Sequence, residues 1–163
     1  MIVGAIVYYW TKEFYLEQTK EALLNNIELL SFEIQKEQNL DALAKKVKEK
    51  LHIRITLISK DGQVVAESHK NKTKMDNHKY RDEILQADKE SFGTKIRHSK
   101  TIDRDFLYVA KKYSLKEKTM YIRLSKELKS INEQIISLGV KILAVIALFF
   151  LTIFFIAFKL VKR

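Results

Sequence analysis

The chain has 163 residues, 47% of them hydrophobic, with 30 Lys and Arg against 20 Asp and Glu and a formal net charge of +10. That length suits one domain with its own core. The cations are spread along the chain, which argues against a nucleic-acid partner and for attraction to anionic lipid headgroups or cell-wall polymers. The absence of cysteine leaves the compartment open, while the absence of proline and the presence of only four glycines favour long uninterrupted helices.

Residues 1–10, MIVGAIVYYW, are apolar and close on Tyr8, Tyr9 and Trp10, aromatic residues typical of a membrane–water interface. Ten residues cannot span a bilayer, so the segment reads as the outer half of a first transmembrane helix whose start lies upstream. Residues 11–51 read as stalk helices. Leu16, Leu23, Leu30 and, offset, Ile27 and Ile34 recur at three- and four-residue steps, a stripe that a partner chain would cover. Asn39 is placed to cap a second helix, in which Leu40, Leu43, Ala44, Val47 and Leu51 share a face.

At His52 the period changes from near 3.6 to 2. Ile53, Ile55 and Leu57 alternate with His52, Arg54 and Thr56, then Ser59-Lys60-Asp61-Gly62 turns the chain into Gln63–Glu67, a β-hairpin signal. The polar stretch SHKNKTKMDNHKYRDE follows. Its first part, Ser68–Lys74, reads as solvated loop, and a short helix is predicted over Tyr80–Ala87. Three more strands follow at Gly93–Ser99, Phe106–Tyr113 and Thr119–Leu124. Ser125 is placed to cap an exit helix, residues 125–141, that continues into the apolar run 142–161. That run carries no charge before Lys159 and is long enough to cross about 30 Å of hydrocarbon. Lys159, Lys162 and Arg163 crowd its far end, which by the positive-inside tendency puts the C-terminus in the cytoplasm and residues 52–124 outside the cytoplasmic membrane.

These elements describe an α+β domain: five strands in antiparallel pairs, helices on one face, and two long helices directed at the membrane. Such stripes need burial, so a homodimer with a four-helix stalk is expected. The segments ITLISKDGQVVAES (55–68), MDNHKYRDEILQA (75–87), FGTKIRHSKTIDRDFLYVA (92–110) and TMYIRLSKEL (119–128) resemble the extracytoplasmic sensor domains of PhoR-type two-component histidine kinases. The resemblance implies a PAS-like or Cache-like fold, a five-stranded antiparallel sheet between long N- and C-terminal helices. It also implies a signal-receiving function, in which displacement of the exit helix carries the signal through the bilayer. Where that family often has Arg-Pro-Glu, this chain has Arg81-Asp82-Glu83. The 163 residues contain no phosphorylatable-histidine helix and no glycine-rich nucleotide box. A kinase core, and through it a cytoplasmic response regulator, would therefore lie beyond Arg163, and the same sensor could equally serve a chemotaxis receptor or a cyclic-nucleotide enzyme. A C-terminally anchored protein that binds a partner and senses nothing is the alternative of another class.

Chemistry narrows the site. A nucleophilic set would draw on Ser68, His69 and Asp76, yet these lie in a lysine-rich connection without an elbow motif, so no catalytic residue is assigned. A metal would draw on His69, Asp76 and His78, with the two histidines nine residues apart, and neither metal nor cofactor is assigned. A small anionic ligand fits better. Arg81, Arg97, Lys100 and Arg104 converge with the hydroxyls of Ser99, Thr101 and Tyr108 if the crossover helix lies over the central strands. Asn77 and His78 join them at the start of that helix, or else cap it. The competing reading for the cations is internal pairing, Arg81 with Asp105 or Glu83 with Arg97.

Overall fold

A computed structural model describes residues 2–99, 104–115 and 118–162. In chain order the elements are α1 (Ile2–Lys36), α2 (Leu40–Leu51), β1 (Arg54–Ser59), β2 (Val64–Glu67), a 3-10 turn (Lys72–Lys74), α3 (Asp82–Lys89), β3 (Gly93–Ser99), β4 (Arg104–Leu115), β5 (Lys118–Glu127) and α4 (Leu128–Val161). They fall into two compact units, Leu16–Lys129 and a second made of Met1–Tyr15 with Ser130–Arg163.

The first unit is built on a five-stranded sheet in the order β2-β1-β5-β4-β3, antiparallel at every pairing. The helices α1 and α2 cover one face. Leu23, Ile27, Leu30 and Ile34 of α1 and Leu43, Ala44 and Val47 of α2 pack there against Ile55, Leu57, Val109, Ile122 and Leu124. The α1 stripe expected to await a partner chain is therefore covered by the chain's own sheet, with Ile27 0% and Ile34 1% exposed. Lys111 and the Tyr113 hydroxyl of β4 both donate to Glu28, fixing α1 across the strands and holding the Glu28 carboxyl below its ordinary range. Asn39 caps α2 as its sequence position suggests, accepting from the Ala42 amide at 3.0 Å.

The opposite face of the sheet is covered as well, which corrects the expectation of helices on one face only. Ile84 and Ala87 of α3 pack on Ile58, Ala110 and Tyr121. Asp88, near the end of α3, accepts from Tyr121 at 2.9 Å and pairs with Lys112 at 2.8 Å. At the other end α3 lies directly on Gly93, where an added Cβ would sit 1.9 Å from the Glu83 carbonyl oxygen. Because this face is closed, the polar members of the β1 alternation are not solvated: Arg54 and Thr56 are 3% and 1% exposed. The last strand is also longer than its sequence suggested. Ser125 lies within β5 opposite Arg54 and Tyr108, so it does not cap the last helix, which begins only at Leu128.

In the second unit, Ile135–Val161 is a 27-residue helix long and apolar enough to cross a membrane. At 1.5 Å per residue it reaches about 40 Å, more than a hydrocarbon core requires. From Ile136 onward its apolar side chains are exposed on all faces, among them Leu143, Phe149, Phe154 and Leu160, as lipid-facing residues are.

The β1–β2 turn depends on Gly62, whose φ of +85° belongs to the left-handed region that glycine alone enters without strain. An added Cβ would also meet the Asn77 Oδ1 at 2.1 Å and the Lys79 amide nitrogen at 2.4 Å. Gly62→Ala is therefore expected to cost about 1–3 kcal/mol of stability, read as a lowered midpoint in thermal or urea denaturation. An unchanged midpoint would show that the turn and the crossover are not clamped together.

Candidate functional site

Register gathers the charged residues of the α3 face. Thr56 of β1 lies opposite Glu67 of β2 on one side and Arg123 of β5 on the other. Beyond β5, Tyr108 of β4 is flanked by Ser125 and Lys95. Since alternate residues share a face, Arg54, Thr56, Glu67, Arg97, Tyr108 and Arg123 all project towards α3, which contributes Glu83.

The result is one continuous buried network. The two Glu83 oxygens accept from Arg97 at 2.8 and 2.9 Å, a bidentate pair, and one of them also accepts from Arg123 at 3.0 Å. Arg123 donates onward to the Thr56 hydroxyl at 3.1 Å, and that hydroxyl donates to Glu67 at 2.9 Å. Arg54 closes the chain with two 3.0 Å bonds to Glu67. Both guanidinium groups that hold Glu83 lie near the ring of Tyr108, Arg97 at 4.3 Å and Arg123 at 5.0 Å from its centroid, where the negative face of the aromatic ring attracts them. Glu83 is 0% and Arg123 2% exposed. Three arginines meet two glutamates here, and the Arg123 Nε has no hydrogen-bond partner among the described residues.

His78 borders this network. Its amide donates to the Gly62 carbonyl at 2.8 Å, and the Asn77 side chain bonds the Asp61 carbonyl and the Lys79 amide, both at 2.8 Å. The crossover is thus fastened to the hairpin turn. The His78 ring is 4% exposed and its Nδ1 lacks a partner among the described residues. Burial first, then the nearby positive charges of Arg123, Arg81, Arg97 and Arg54, pull its imidazole down to about 3, so it is neutral near pH 7. His78 also lines a cavity of about 210 Å³ whose other walls are Lys70, Asn71, Lys74, Met75, Asp76 and Arg81. A larger groove of about 620 Å³ lies by Ile34, Leu40, Val65 and Met120 and gathers less charge.

The residues singled out in the sequence divide among these features. Arg81 and His78 line the cavity, while Asn77 holds the hairpin turn. Arg97 and Tyr108 belong to the network. The side chain of Ser99, and Lys100 and Thr101 entirely, lie outside the described residues. Arg104 pairs with Glu127 at 2.9 Å. Of the internal pairs weighed as competitors, Glu83 with Arg97 forms, whereas Asp105 lies 3.1 Å from the His98 ring instead of joining Arg81. Arg54, Glu67 and Arg123 escaped the sequence reading. Their only signal was polar alternation on strands, which looks the same whether the polar face meets water or a helix. Ser68 and His69 do meet at 3.1 Å, but the Ser68 hydroxyl is buried and accepts from the Ile55 amide. Among the described residues no three His, Asp or Glu side chains cluster as metal ligands.

Acid should unfold this arrangement through His78. An unfolded histidine titrates near 6.5, so below that value the unfolded chain takes up a proton that the folded chain refuses. The stability contributed by the neutral ring is complete above about pH 6.5 and declines as pH falls towards about 3. The melting temperature is expected to drop more between about pH 7 and about pH 5 in the parent than in His78→Asn, measured by circular dichroism. Equal drops would show that His78 does not resist protonation.

Comparison with known proteins agrees with this architecture. Residues 13–127, more than two thirds of the chain, match the Single Cache-like family. Among solved structures, the chain is similar to the domain of a sensory box/GGDEF family protein from Vibrio parahaemolyticus, with a TM-score of 0.54 and 12% sequence identity. That match covers 74% of this chain and 57% of the other, so the chain spans a little over half the length of that structure, and the likeness is one of fold. No curated protein matches. The sheet order, the flanking helices and the family match together show that this chain belongs to the Single Cache-like family of sensory domains.

Proposed function

We propose that the chain is the extracytoplasmic receiving part of a membrane sensor histidine kinase of the PhoR type. In this reading a signal bound outside the cytoplasmic membrane moves the membrane-crossing helix. One observation carries it: β5 ends at Glu127 and α4 begins at Leu128, with no linker between them. Arg123, the hub that ties β1, β5 and α3 together, therefore stands on the strand that becomes the helix leading into Ile135–Val161. A shift of α3 pulls on Glu83, Glu83 pulls on Arg123, and β5 delivers the displacement to α4, the kind of small helix movement that packed interfaces convert into discrete states.

The similarity to a sensory box/GGDEF protein supports a second reading, in which the same sensor drives a GGDEF output rather than a kinase. A homodimer suits both, since displacement needs a reference. Leu29 and Phe32, 66% and 61% exposed on the side of α1 away from the sheet, would supply its seam.

Topology is the direct test. The chain has no native cysteine, so Lys70→Cys and Lys162→Cys each introduce a single thiol. A membrane-impermeant maleimide is expected to label the first in intact cells and the second only after lysis. Labelling of both from the same side would overturn the sensor reading.

A further inference from the structure

The cavity beside His78 differs from the adjoining network in that, among the described residues, no carboxylate holds its cations at ion-pair distance, Asp82 acting on Arg81 only through longer-range attraction. Lys70, Lys74 and Arg81 face it, and among the described residues none of the three makes an ion pair or side-chain hydrogen bond. In the network, by contrast, Arg97 and Arg123 are held by Glu83, and Arg54 by Glu67, so those guanidinium groups are already occupied by the chain's own carboxylates. Around the cavity three cations meet one carboxylate, Asp76, leaving an excess of two positive charges beside a buried ring whose Nδ1 has no partner among the described residues. A volume of about 210 Å³ corresponds to about seven water molecules at roughly 30 Å³ each. That admits a tetrahedral oxyanion with some of its water. Arg81 offers a planar fork for two oxygens, and the two ammonium groups offer adjustable point charges for the others.

We propose that this cavity binds a compact dianionic oxyanion of the phosphate or sulfate class, held by Arg81, Lys74 and Lys70. This rests on the sensing reading above and names the ligand class of the site. The geometry also gives the ligand a handle on the fold. Arg81 immediately precedes α3, and its carbonyl accepts from the Ile84 and Leu85 amides at 2.9 Å each. An anion drawing in Arg81 acts on the first turn of α3, two residues from Glu83.

The test uses the full chain in detergent, in a zwitterionic buffer, titrated with phosphate, sulfate, succinate or chloride at equal ionic strength and followed by thermal shift and calorimetry. Phosphate or sulfate is expected to raise the melting temperature saturably, while succinate and chloride do not. Arg81→Ala combined with Lys74→Ala should weaken binding by about 100-fold, about tenfold for each charge-assisted contact. Among the described residues neither side chain makes a hydrogen bond or ion pair, and the variant's own melting transition reports that it is folded. Lys79→Ala, an exposed cation outside the cavity, should change affinity by less than about twofold. Unchanged binding in the double variant, a response to succinate alone, or no anion-specific shift in the parent would overturn the proposal. The labelling experiment is independent of these outcomes, so loss of the anion site and loss of the sensor reading are separable.

Discussion

A single carboxylate, Glu83, organises one face of this domain. It has no access to water, and it accepts from arginines on β3 and β5, strands that do not neighbour each other in the sheet. Burying one charge alone would be prohibitive, and burying three is tolerable only if their hydrogen bonds are made together. The surroundings meet that demand. Gly93 lets the Glu83 backbone descend onto β3, Tyr108 presents its ring to both guanidinium groups, and Thr56 relays Arg123 to Glu67. Buried ion pairs often stabilise a fold no better than hydrophobic residues of the same volume do. What the ion network adds is position, since α3 can satisfy both arginines at only one place along the sheet.

This constraint also shapes the proposed sensing chemistry. Arginines that would otherwise attract an external carboxylate already hold internal ones, and free positive charge is displaced to the crossover, around Lys70, Lys74 and Arg81. On that proposal the anion cavity and the ion network are successive links of one chain, joined through the first turn of α3. Its last link is covalent, because β5 passes into α4 without an intervening loop.

Much of the fold could be read from the residues. The β3 bounds, Gly93–Ser99, agree in sequence and structure, the Asn39 cap forms, and the apolar C-terminal helix is where composition placed it. The failures share a cause. Period-2 alternation states that two faces differ in polarity, and says nothing about whether the polar face is wet. Arg54, Thr56 and Arg123 alternate like solvated residues yet lie under a helix only eight residues long. Likewise, the α1 stripe specifies a covered face without specifying the cover, which is this chain's sheet. The candidate site was legible in the same partial way. Arg81 and His78 stand out as a cation and an imidazole beside a helix start, whereas Lys70 and Lys74, read as solvated loop, reach the cavity only because the turn at Lys72–Lys74 folds the chain back.

The central claim is that the Glu83–Arg123 pair, rather than apolar packing alone, sets α3 on the sheet. A double-mutant cycle measures it, with Glu83→Gln and Arg123→Met unfolded by urea singly and together. Each single change is expected to cost about 3–5 kcal/mol, because Glu83→Gln leaves the buried Arg123 with only the Thr56 hydroxyl and no carboxylate, and Arg123→Met leaves the buried Glu83 to Arg97 alone. The double variant should cost well below the sum, with an interaction energy of about 2 kcal/mol or more. Additive losses, or single losses under about 1 kcal/mol, would contradict the claim and return α3 to the control of Ile84 and Ala87.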